Sequence, residues 1–284
     1  MGTKYIKYLI SPPNIIFPFP LIPLIVGFSG GNISDIWKPL LLTLVYYPAI
    51  NLWNHINDAD DDRKAGKDNP FSEKDVRAVA LVITFGLYLS SAILSYLFGG
   101  VTCFLFYLAV FTATFLYSDN MITKIRLKRH YLGEVGVYVV AVPSYILLLY
   151  TSIASLDKIG VFLALLFLPL MLSTVFIKDL KDITADKKAG LYTLGVAFTP
   201  ETLIKVFSSL ILIYYLTIIV FYRGTSHVYS AIPVIGAITG IAGFVHNRWE
   251  ISRKTVKYYL VIFYSSLSSV ILFLAISALQ IAKT

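Results

Sequence analysis

The chain has 284 residues, 57% of them hydrophobic and 14% charged, with a mean hydropathy of +0.74. That balance excludes an ordinary soluble domain. The net charge of +8 would suit a nucleic-acid partner, but the way the basic residues are distributed assigns it to a membrane instead. The lone cysteine, Cys103, excludes an intrachain disulfide and a thiol-rich metal site.

The chain opens with Lys4 and Lys7, followed by an apolar stretch broken by Pro12, Pro13, Pro18, Pro20 and Pro23. No small-residue cleavage site follows, so a retained first helix is expected and not a signal peptide. Beyond it come apolar runs, many of roughly 18 to 23 residues, long enough to cross a bilayer as helices. In lipid the backbone must satisfy its own hydrogen bonds, which favours helices. The runs are continuous and do not alternate, which argues against a β-barrel. Nine spans are expected, at 15–28, 37–53, 76–98, 101–117, 134–150, 159–177, 201–221, 228–245 and 257–279.

Nine spans place the N-terminus and the loops after spans 2, 4, 6 and 8 on one side. Of the 24 Lys and Arg residues, all but Lys38, Lys158, Arg223 and Lys283 lie on that side or at its helix ends. The positive-inside rule makes that side cytoplasmic. The positive charge is thereby explained by orientation in a bilayer, and no nucleic-acid partner is expected. The far loops are short, so chemistry belongs to the longer polar loops after spans 2, 4 and 6. The expected fold is all-α: a polytopic membrane protein, nine transmembrane helices around a central cavity, in a single domain over residues 1–284.

Two acidic motifs stand where apolar runs end. Asn54, Asp58 and Asp62 fall at i, i+4 and i+8, one face of a helix if span 2 continues into its loop. Asp179, Asp182 and Asp186 fall at i, i+3 and i+7, again one face. Both motifs end on Lys-Ala-Gly, at Lys64-Ala65-Gly66 and Lys188-Ala189-Gly190. Each follows an even-numbered span, so a duplicated four-helix unit plus one extra helix accounts for nine. Carboxylates so close repel unless cations compensate them. Hard oxygen ligands suit Mg²⁺, which often bridges carboxylates to substrate phosphates. The competing account is two solvated loops balanced by nearby lysines. A calcium hand lacks its loop pattern here, and no histidine has zinc spacing. His55 points away if Asn54 and Asp58 define the inward face.

These motifs resemble those of the UbiA superfamily of intramembrane prenyltransferases. Its Asn-x3-Asp-x3-Asp motif is matched by Asn54, Asp58 and Asp62, and its Asp-x2-Asp-x3-Asp motif by Asp179, Asp182 and Asp186. A third signature resembles Tyr117-Ser118, then Lys124, Arg126 and Lys128, then Gly133-Glu134. The resemblance implies an allylic prenyl diphosphate donor, a hydrophobic aromatic or lipid-like acceptor and Mg²⁺ as cofactor. It implies that Asp58, Asp62, Asp182 and Asp186 are catalytic and, with Asn54 and Asp179, hold the metal. Lys124, Arg126, Lys128 and Arg129 are the candidates for diphosphate contact; the alternative is contact with lipid headgroups. Many relatives carry Arg-Pro where this chain has Ser11-Pro12. Asn14, just after it, either lines the cavity or is a polar residue at a helix start.

Two other readings stay open on the residues alone. A transporter uses intramembrane carboxylates and internal repeats, though these aspartates stand at helix mouths. A CDP-alcohol phosphotransferase is also Asp-rich, but its Asp-x2-Asp-Gly-x2-Ala-Arg pattern is missing. The run from Asp62 to Asp68 looks more like naphthoquinone-type members of the superfamily than ubiquinone or ether-lipid members.

Overall fold

A computed structural model of the chain describes residues 6–9, 18–64, 66, 68–178, 180, 183–188, 190–221 and 227–281. Among the described residues all regular structure is helical, apart from an isolated bridge between His130 and Tyr192. The long helices are α1 (Pro18–Ser29) and α2 (Trp37–Lys64), then α3 (74–98) and α4 (101–118). After them come α5 (Tyr131–Thr151), α6 (Lys158–Lys178), α7 (Pro200–Phe221), α8 (His227–His246) and α9 (Arg253–Ile281).

The break between α3 and α4 falls where the sequence places the Gly99–Gly100 loop. Gly100 has φ +62°, which L side chains rarely adopt, and a Cβ on Gly99 would lie 2.1 Å from the Thr151 carbonyl oxygen. The reversal therefore needs both glycines.

Helix α3 shows which solvent this surface meets. Its Ala80, Thr84, Tyr88, Ser91 and Ser95 are buried, while Val82 and Leu97 are 75% and 68% exposed beside Val79, Leu89 and Ile93. The small and hydroxyl-bearing face is inside and the aliphatic face outside. Thr84, Ser91 and Ser95 donate to carbonyls of their own helix, at Ala80, Leu87 and Ala92, so these three hydroxyl protons are used although buried. In water such a surface would be an aggregation hazard; in lipid, small interior residues let helices approach closely. Five elements are long and apolar enough to cross a membrane by length and composition: Lys74–Ser118, Tyr131–Thr151, Lys158–Lys178, Pro200–Val220 and Arg253–Leu272. The chain is an integral membrane protein.

Two compact units divide the chain, Met1–Lys128 with Leu132–Val161, and Arg129–Tyr131 with Phe162–Thr284. In the first, α2 packs against α3 and α4. Tyr8, Leu52, Ile56, Ala59, Phe71 and Ala80 form a buried cluster around the lower half of α2. Trp53 stacks on Phe115 with ring centroids 4.4 Å apart, and its Nε1 donates to the Phe115 carbonyl at 3.0 Å. Hydroxyl pairs join helices: Thr43 with Tyr145 at 2.7 Å and Tyr46 with Thr114 at 2.8 Å. These contacts fix the rotation of α2 immediately before Asn54.

In the second unit α8 lies close against α9. A Cβ on Gly236 would meet Ser265 Oγ at 2.3 Å, and one on Gly243 would meet the Tyr258 ring at 2.3 Å. Side chains at those positions would force the two helices apart. Tyr214 and Ser269, 2.9 Å apart, join α7 to α9.

Candidate functional site

Helix α2 runs on through the acidic residues to Lys64. Asn54, Asp58 and Asp61 therefore share one helical face, with Asp62 adjoining it. The preceding turn is held by Asn57, which is buried: its Nδ2 donates to the Trp53 carbonyl at 2.8 Å, and its Oδ1 accepts from Asn120 N–H at 2.8 Å. That second bond ties the loop after α4 to α2.

The loop is shaped by Asp119, also buried. Its Oδ1 accepts from the N–H groups of Met121 and Ile122 at 3.0 and 2.9 Å; its Oδ2 accepts from the N–H and the hydroxyl of Thr123, each at 2.6 Å. Burial raises the Asp119 carboxyl, but the donors from Ile122, Thr123 and Met121 outweigh it and hold it below the usual carboxylate range. Lys124 and Arg126 then adopt φ of +61° and +44°, a conformation non-glycine residues hold only when their surroundings enforce it. The start of α5 presses on the same loop. A Cβ on Gly133 would lie 2.4 Å from the Leu127 carbonyl oxygen, so glycine there permits the contact.

The loop delivers two cations to the acidic face. Lys128 Nζ donates to Asn54 Oδ1 at 2.8 Å and to both Asp58 oxygens, at 2.5 and 2.7 Å. Arg126 bridges Asp58 and Asp61, at 2.9 and 2.5 Å, with its side chain only 3% exposed. Its Nε is buried with no hydrogen-bond partner among the described residues. Ser118 Oγ donates to Asn54 Oδ1 at 2.6 Å. Tyr117 holds the buried Glu134 at 3.1 Å, with its ring centroid 5.8 Å from Lys128 Nζ.

Thus Asn54, Asp58, Arg126 and Lys128 come together as a set. Lys124 is exposed in the same loop. Asp62 turns to Asn69, whose Nδ2 donates to it at 2.9 Å, and Asp60 pairs with Arg77 at 2.7 Å. His55 meets the edge of the Tyr8 ring, off the acidic face. Asn14, Asp179 and Asp182 lie outside the described residues. In the second unit Asp186 sits in the short helix Ile183–Lys188 and accepts from Thr193 Oγ1 at 2.7 Å. The segment just beyond pairs with Arg129–Tyr131: Tyr131 N–H donates to the Tyr192 carbonyl at 2.9 Å, and Tyr192 N–H to the Arg129 carbonyl at 2.8 Å.

Among the described residues no three His, Cys, Asp or Glu side chains converge as a metal cluster. The donor chemistry nevertheless fits a hard cation. Three oxygens, from Asn54 and Asp58, already surround one cationic atom, Lys128 Nζ, within 2.8 Å.

Sequence reading missed Asp119 and Asn57, which position the set, and Asn69, which holds Asp62. Asp119-Asn120 directly after an apolar run is a turn signal, and Asn69-Pro70 is another.

A helical membrane protein with an oxygen-rich, cation-loaded site at a helix end is the class that fold and site define. The UbiA prenyltransferase family model matches residues 19–277, and the chain belongs to that family. An uncharacterized protein from Archaeoglobus fulgidus is 30% identical over 96% of this chain and 98% of its own. A solved structure of digeranylgeranylglyceryl phosphate synthase superposes with TM-score 0.74 at 17% identity, covering 96% of this chain and 97% of that one. A UbiA homolog from Archaeoglobus fulgidus bound to GPP and Mg²⁺ superposes with TM-score 0.65 at 21% identity, covering 99% of this chain and all of the other.

Proposed function

We propose that the protein transfers a prenyl group from an allylic prenyl diphosphate to an aromatic or lipid-like acceptor within the membrane, releasing diphosphate. The observation that carries this reading is the convergence of Asn54 and Asp58 with Arg126 and Lys128 at the end of helix α2. Family membership supports it over carboxylate-coupled transport or CDP-alcohol phosphotransfer. So does the relative of the same fold that binds GPP with Mg²⁺.

On this reading Asn54, Asp58 and Asp62, with Asp179, Asp182 and Asp186, hold Mg²⁺. When bound, the metal neutralises charge developing on the leaving diphosphate. Arg126 offers a planar fork to diphosphate oxygens and Lys128 a mobile point charge; Lys124, in the same loop, is a third candidate. The allylic carbon–oxygen bond breaks and its electron pair leaves with diphosphate. The acceptor's electron pair then closes on the allylic carbon, and the acceptor sheds a proton. For Asn14 two roles stay open, lining the cavity or standing as a polar residue at a helix start.

The same reading takes residues 1–284 as one domain of nine spans around a central cavity, built on a duplicated four-helix unit, with both acidic loops and the N-terminus cytoplasmic. The basic bias supports the orientation, and the break at Gly99–Gly100 supports counting two spans within Lys74–Ser118.

The test is purified protein with Mg²⁺, prenyl diphosphates of several lengths, and acceptors that include a naphthoquinone precursor and a glyceryl phosphate ether lipid. Mass spectrometry is expected to find a prenylated acceptor together with released diphosphate. Absence of both across the whole panel contradicts the reading.

A further inference from the structure

We propose that Lys128 is a resident counter-cation of the first acidic motif. Before donor binds, it holds the oxygen set meant for the metal and keeps a divalent cation from binding alone; the donor's diphosphate draws it away. This rests on the functional reading above and adds an order of events to it.

The geometry makes Lys128 the competitor. Its Nζ takes Asn54 Oδ1 and both oxygens of Asp58. A divalent ion using those oxygens cannot share the position with an ammonium, because like charges at such separation repel. Arg126 is differently placed. It is almost wholly buried and keeps Asp61 as a second carboxylate, so it can stay when Asp58 is taken. Lys128 is 15% exposed, against 3% for Arg126, and carries its charge on a flexible four-carbon stem. Of the two cations it has the more exposed and more flexible side chain. A diphosphate offers it several anionic oxygens in place of those of Asn54 and Asp58. Linkage then requires that diphosphate tighten the metal and that metal tighten the diphosphate.

The experiment measures free Mn²⁺ by electron paramagnetic resonance against purified parent, Lys128→Met and Lys128→Arg. Each is titrated with Mn²⁺ alone and then with a non-reactive prenyl thiolodiphosphate. The parent should bind Mn²⁺ weakly alone and gain affinity with the analogue. Lys128→Met should bind Mn²⁺ alone about tenfold or more tightly than the parent, the scale on which one neighbouring charge alters a carboxylate's affinity for a cation. Lys128→Arg should behave like the parent. A residue that only supports the fold would not tighten Mn²⁺ alone when removed. Equal or weaker Mn²⁺ binding by Lys128→Met overturns the proposal. Tight Mn²⁺ binding by the parent alone, with no gain from the analogue, overturns it without any variant. The functional reading fails on a separate result: no Mn²⁺-dependent binding of the analogue to the parent.

Discussion

Asp119 holds Thr123 twice, its Oδ2 accepting both the backbone N–H and the hydroxyl at 2.6 Å. This turn, with the Asn57–Asn120 bond, sets where Arg126 and Lys128 arrive. Asp119→Ala should therefore act at a distance. Each hydrogen bond to a charged group contributes about 1.5–3 kcal/mol, so a stability loss of about 2 kcal/mol or more is expected, with weaker binding of a donor analogue. The pH dependence has a definite sign. The folded carboxyl is depressed below its unfolded value, so its contribution is complete above the unfolded value and is lost as pH falls through the folded one. The parent's advantage over Asp119→Ala in thermal unfolding should be flat above about pH 5 and shrink only in stronger acid, below about pH 4. An advantage that grows as pH falls would contradict the assignment.

Gly133→Ala tests the contact between α5 and the loop. The added methyl would meet the Leu127 carbonyl oxygen at 2.4 Å, and backbone cannot swing aside as a side chain does. A cost of about 1–3 kcal/mol is expected from overpacking, together with reduced donor affinity, because Leu127 lies between Arg126 and Lys128. Gly136→Ala, three residues on, has open space around its Cβ position and serves as the control. Equal behaviour of the two variants in unfolding and in analogue titration would remove Gly133 from the account.

Much of this was legible in the sequence, and the failures have physical reasons. Long apolar runs gave helices, and Gly99-Gly100 gave the break, because both signals are local. The pairing of Asn54 with Asp58 followed from helical spacing once α2 continued through the acids. Spacing could not choose between Asp61 and Asp62, which lie at i+3 and i+4 from Asp58. In the structure Arg126 pairs with Asp61, while Asn69 engages Asp62. Nor could it show the course of the loop from Asp119 to Lys128, fixed by the Asn57–Asn120 bond and the Gly133 contact, which join residues distant in sequence. The inside-out face of α3 was hidden for the same reason: hydropathy gives a helix its solvent, not its rotation.

Orientation is tested separately, by placing a cysteine at Asp68 or Lys188 in a Cys103→Ala background. Cys103 is buried, with Sγ 3.4 Å from the Leu148 carbonyl, and alanine keeps the site apolar. An impermeant thiol reagent should label neither position in intact cells and both after the cells are opened. Labelling of either from outside would reverse the proposed topology.

The central claim is that both acidic motifs serve one metal-dependent ionisation. Asp58→Asn and Asp182→Asn change charge with little change in size. Each should lower turnover by about a hundredfold or more, as loss of one preorganised electrostatic group does, while the helical body stays folded. The direct measurement is diphosphate release with donor and acceptor across a Mg²⁺ titration, for parent and both variants. The account predicts Mg²⁺-dependent release by the parent and near-complete loss in each variant at every Mg²⁺ concentration. Parental turnover retained by either variant would show that its motif stands outside the catalytic site, and the paired-motif account would fail.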